Sequence, residues 1–87
     1  MRKLKQTEIE LLTTRQKCGY RYIARDDDEE IWVFKSKPFK FEEIGIWFSD
    51  DTHCDYAWLK NHQLKDIVLW EDEEPTLIAN LLEEDKQ

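Results

Sequence analysis

Glycine and proline are scarce in this 87-residue chain, which holds only Gly19, Gly45, Pro38 and Pro75. A phosphate-cradling loop needs clustered glycines so that backbone amides can approach the anion, and two isolated glycines cannot supply one. The nucleophile elbow, with Gly on both sides of the nucleophile, is excluded on the same ground. Cysteine is equally sparse: Cys18 and Cys54 stand far apart, with no Cys-x-x-Cys pair. A zinc site from His53, Cys54, His62 and Cys18 has the wrong spacing, because adjacent residues of an extended segment point to opposite faces. Asp50, Asp51, Thr52 and Asp55 lack the donor order, the Gly and the closing Glu of a calcium loop. No metal and no cofactor is therefore expected. No apolar run reaches the roughly 18 to 20 residues needed to cross a bilayer. No basic start leads into a signal-peptide core either. The expectation is a reduced, cytoplasmic protein with free thiols and no membrane association.

Aromatic residues and acids are abundant. Trp32, Trp47, Trp58 and Trp70 accompany four Phe and three Tyr, and large rings bury more area per residue than aliphatic side chains do. One small domain over residues 1–87 can thus build a core without staples, with a stability on the order of 5 kcal/mol. Asp and Glu number 20 against 13 Lys and Arg, giving a net charge of −7. The charge is uneven: residues 1–25 carry seven Lys/Arg against two Glu, whereas residues 71–87 carry seven acids against Lys86. An acidic bulk disfavours phosphate backbones, which require clustered cations, and favours solubility and attraction to a basic partner.

Leu4, Leu11, Leu12 and Cys18 share a stripe of 3.6-residue period, with Ile9 at its margin, and predict a helix over 3–18 that Gly19 ends in a left-handed cap. The runs 20-YRYIAR-25 and 31-IWVFKS-36 flank 26-DDDEE-30 and read as a hairpin. Alternation sets Tyr20, Tyr22 and Ala24 on one face, and Trp32 with Phe34 on one face. Pro38 makes 37–43 a connection anchored by Phe39 and Phe41. Further strands are expected at 44–49, around 56–60 and at 67–70, and Leu77, Ile78, Leu81 and Leu82 give a short helix over 77–84. The expected fold is α+β: an N-terminal amphipathic helix packed on an antiparallel meander of four to five strands, then a short C-terminal helix. Edge strands of such a meander leave pairing across a homodimer open.

Carboxylates that occur in runs are solvated, not held in a cleft with a tuned pKa, so a non-enzymatic protein is expected. Glu71 to Glu74 precede the last helix, where negative charge favours its N-terminus, yet four exceed what capping needs. Glu71, Asp72 and Glu73, with Glu83, Glu84 and Asp85 one helix later, are the candidate partner-binding residues, aimed at a basic protein surface. The alternative is a small nucleic-acid-binding regulator using Arg15, Lys17, Arg21 and Arg25 beside Tyr20 and Tyr22; neutralisation of the acidic segments is the favoured explanation of that basic stretch.

The segments 22-YIARD-26, 31-IWVF-34, 37-KP-38, the Trp47 strand and 70-WEDEEPT-76 together resemble small acidic proteins encoded by phages and prophages of Gram-positive bacteria. The resemblance runs from about Gly19 to Thr76. It implies a setting rather than a mechanism: a protein in the bacterial cytoplasm that binds and modulates a host protein, as a takeover or anti-defence inhibitor or a DNA mimic. In that group the hairpin turn reads Asp-Gly. Here Glu29 stands where Gly would be, and because a two-residue turn needs positive φ, a longer loop is expected.

Overall fold

The computed structural model describes residues 2–49 and 56–85, apart from the side chain of Asp85. Helix α1 spans Gln6–Lys17. It starts later than the spacing predicts because Lys5 is extended and its N–H donates to the Glu8 carboxylate at 2.7 Å, which covers an orphan donor of the first turn. Gly19 closes the helix at φ +99. The Tyr20 N–H reaches the Arg15 carbonyl at 3.1 Å and the Gly19 N–H reaches that of Gln16 at 3.0 Å, the pair of bonds that defines a left-handed C-terminal cap. Cys18, placed on the apolar stripe by periodicity, is exposed. Glu8 is buried on the inner face instead, because Arg2 and the Lys5 amide satisfy its oxygens.

Strands β1 (Tyr22–Arg25) and β2 (Ile31–Phe34) form the expected hairpin, with Tyr22 opposite Phe34 and Arg25 opposite Ile31. Next come β3 (Phe39–Phe41), β4 (Ile46–Phe48), β5 (Tyr56–Leu59), β6 (Thr76–Leu77) and helix α2 (Ile78–Asp85). The fold is α+β with antiparallel strands between an N-terminal helix and a short C-terminal one. Its connectivity is more than a meander. The main sheet runs β5-β2-β1-β6, while β3 and β4 form a separate hairpin inserted between β2 and β5. Phe39–Phe41, expected to be a connection, is thus a strand, and the strand expected at 44–49 starts only at Ile46. Ile44 and Gly45 turn back onto the Phe41 carbonyl, with Gly45 at φ +71.

Residues 67–70, expected to be a strand, form turns instead. The amides of Ile67 and Val68 both bond to the Leu64 carbonyl, and the Val68 carbonyl accepts from Arg25 Nε at 2.7 Å, so neither group is left for a ladder. The edge position beside β1 is filled by Thr76 and Leu77, which pair with Ile23 and Tyr22. Helix α2 therefore begins one residue later than the apolar spacing suggests.

Two cores lie on opposite faces of the main sheet. On one, Ile23, Ile31, Val33 and Leu59 pack with Leu4 and Leu12 from the N-terminal segment, Ile78 and Leu81 from α2, and Leu64 and Val68 from the turns after β5. On the other, Ala24 and Phe34 pack against Trp47 of β4, with Tyr22, Trp32 and Trp70 half-buried around them. The inserted hairpin thus covers part of a face that the helices leave open.

Candidate functional site

The residues singled out for partner binding take different positions. Glu71, Glu73, Glu83 and Glu84 are exposed. Asp72 is half-buried and its carboxylate accepts the Leu69 N–H at 3.1 Å, a local turn bond that gives it a structural role. Strand β6 and the length of α2 separate Glu71, Asp72 and Glu73 from Glu83, Glu84 and Asp85. The latter three close a helix whose last turn holds no basic residue, where negative charge opposes the helix dipole. They do nothing for the helix that carries them.

Of the basic residues in the alternative reading, Lys17 and Arg21 are exposed and Arg15 is half-buried. Arg25 is removed from that reading. It is 2% exposed and donates to the carbonyls of Val68, Glu29, Asn61 and Gln63 at 2.7, 2.7, 3.0 and 2.6 Å. It holds the β1–β2 turn to the segment after β5 and cannot reach a phosphate. Among the described residues no three His, Cys, Asp or Glu group as a metal site. No helix there is long and apolar enough to cross a membrane. His53, Cys54 and Asp50, Asp51 and Asp55 lie outside the described residues.

The surface with the most unusual chemistry is the β3–β4 hairpin. Two-residue alternation sends Lys40 and Trp47 toward the main sheet, where Lys40 Nζ sits 5.4 Å from the Trp47 ring centroid and 4.3 Å from that of Trp70, and donates to the Trp70 carbonyl. The same alternation turns Phe39, Phe41 and Phe48 outward. Their rings touch each other edge-on or tilted, with centroids 5.8 to 6.3 Å apart, while all three remain more than 40% exposed. Ile44 at the hairpin turn is 67% exposed, between the exposed Glu42 and Glu43 on one side and Gly45 on the other. An apolar aromatic face with carboxylates at its tip results.

Phe48 also lines a cleft of about 280 Å³ between this hairpin and the main sheet, together with Asp26, Trp32, Phe34, Ile46, Trp47, Ser49 and Tyr56. Trp32 meets Tyr56 edge-on at 5.5 Å, and Phe34 lies 6.4 Å from the same ring. Asp26, 7% exposed, is the charged group of the cleft among the described residues. It accepts the Trp47 N–H at 2.9 Å and a hydrogen bond from the Trp32 side chain. Burial pushes its carboxyl above the ordinary carboxylate range against those two bonds, and the nearby Asp28 and Glu30 add to the rise.

Reading 37–43 as a connection anchored by Phe39 and Phe41 hides this site in the sequence. The signal was present in the alternation of Phe39, Lys40 and Phe41, which reads as a strand with an apolar face. No family model, curated protein or solved structure matches the chain.

Proposed function

We propose that this chain is a non-enzymatic interaction protein that docks the outer face of its β3–β4 hairpin on a basic surface of a bacterial host protein and modulates it. The observation that carries this reading is the contiguous, exposed cluster of Phe39, Phe41 and Phe48, extended by Ile44 and edged by Glu42 and Glu43. Small domains rarely leave such a cluster in water without a use. Aromatic anchors inside a charged rim are the usual composition of a binding hot spot.

Charge supports a foreign partner over a second copy. A two-fold dimer through this face would bring Glu42 and Glu43 toward their own mates, and a net charge of −7 adds to that repulsion. A basic rim on another protein meets both features. Glu71, Glu73, Glu83 and Glu84 then act at longer range, raising the rate of encounter instead of forming the contact. The resemblance to small acidic phage and prophage proteins supplies the host-protein setting.

The test is capture from a Gram-positive bacterial lysate with the immobilised chain, followed by identification of the retained polypeptide. The Phe39→Ser/Phe41→Ser variant should lose at least about tenfold in retention of that polypeptide while keeping its fold, because both side chains are exposed. Glu71→Gln/Glu73→Gln should weaken retention only at low salt. Undiminished retention by the double Phe variant contradicts the reading.

A further inference from the structure

Among the described residues, Asp26 is a buried carboxylate whose acting charged neighbours, Asp28 and Glu30, are both acids. Arg25 precedes it in the chain but lies on the opposite face of β1, committed to four backbone carbonyls. Lys40 is held between Trp47 and Trp70. Neither cation pairs with this carboxylate. Leaving a carboxylate out of water beside like charges is unfavourable, and its displaced titration is the signature of that environment.

The walls around it are the faces and edges of Trp32, Phe34, Trp47, Phe48 and Tyr56. Aromatic rings attract organic cations through their quadrupoles, most strongly where water is excluded. The Trp47 indole N–H is buried with no hydrogen-bond partner among the described residues. A volume of about 280 Å³ is at the lower end for a small-molecule pocket and is suited to one long side chain.

We propose that this cleft receives the cationic end of a lysine or arginine side chain of the docked partner, its alkyl stem against the aromatic walls and its charge on the Asp26 carboxylate. The inference rests on the docking reading above, since Phe48 belongs to both the exposed face and the cleft: a chain lying on the hairpin reaches the cleft without a gap. A long cationic side chain suits the lining because its stem is apolar and only its tip is charged.

The experiment follows the indole N–H resonances of Trp32 and Trp47 by NMR while N-acetyl-lysine methylamide, or its uncharged counterpart N-acetyl-norleucine methylamide, is titrated into the full chain. The lysine compound should shift both resonances saturably, and the norleucine compound should need at least about tenfold higher concentration. Asp26→Asn, which keeps an acceptor for the Trp47 amide, should lose that preference; its amide dispersion reports whether it is folded. Equal binding of the two compounds by the parent chain overturns the proposal without recourse to any variant, as does absence of any shift. A folded Asp26→Asn variant that keeps the lysine preference also overturns it. Phe39→Ser/Phe41→Ser separates the two readings: it should retain the lysine-induced shifts while losing the partner. If the lysine compound fails and capture still depends on the Phe face, only the cleft assignment falls.

Discussion

Arg25 sits on the helix-covered face of the main sheet with no carboxylate bonded to it among the described residues, and four backbone carbonyls satisfy its guanidinium. Burial pushes its pKa down, though the group stays charged at any ordinary pH. Arg25→Met would strip partners from the carbonyls of Glu29, Asn61, Gln63 and Val68. One buried and three part-buried carbonyls that lose a charged donor cost about 3 kcal/mol together, against a total stability on the order of 5 kcal/mol. The urea midpoint of that variant, followed by tryptophan fluorescence, should fall by more than half. Glu29 presents the opposite case. It adopts φ 76 in a tight turn closed by bonds between Asp26 and Glu30 and between Glu29 and Asp26. Side chains in the left-handed region carry roughly 1 kcal/mol of strain that glycine lacks. Glu29→Gly should therefore raise the melting temperature by about 4 to 8 °C, whereas Glu29→Ala should give no such gain.

Among the elements, α1 is fastened by a three-residue latch. Arg2 grips Glu8 with both terminal nitrogens at 2.8 and 2.7 Å and reaches Asp66 through Nε at 2.6 Å. It thereby ties the chain start, the first helical turn and the segment after β5 together. Hydrogen bonds from Arg2 hold both carboxyls below their ordinary range. A depressed carboxyl pKa contributes stability that is complete above the unfolded value and disappears as pH falls through the folded one. The melting-temperature gap between the parent and Arg2→Gln should then be full near pH 7 and shrink below about pH 4. A gap that is constant with pH would show that the latch contributes packing and no charge.

The elements also differ in how legible they were. The β1–β2 hairpin, the Gly19 cap and α2 follow local rules of alternation, cap chemistry and periodicity, and the sequence marks them within a residue or two. Glu8 and Arg25 break those rules. A charged residue is written in the same letters whether it is solvated or buried, and only tertiary partners from residues 2, 61, 63 and 68 decide which. The segment 67–70 reads as a strand by composition, yet β6 wins the edge because Arg25 takes the Val68 carbonyl. The exposure of Phe39 and Phe41 is equally hidden in the sequence, because it depends on which face of the inserted hairpin meets the main sheet.

At the scale of the whole molecule, one sheet has two unequally covered faces. Helices and turns close one, and a three-residue-strand hairpin covers part of the other, leaving aromatic rings on its outer side and a carboxylate-bearing cleft beneath it. A net charge of −7 opposes association of such an apolar face with copies of itself and favours approach of basic surfaces. In the proposed interaction the hairpin face, more than the acidic runs, makes the contact. Retention of the captured host polypeptide should be measured for the parent, Phe39→Ser/Phe41→Ser and Glu71→Gln/Glu73→Gln across a salt series. The account predicts a loss of about tenfold or more for the Phe variant at every salt concentration and a loss confined to low salt for the Glu variant. Retention that survives in the Phe variant and vanishes in the Glu variant at all salt concentrations would contradict it.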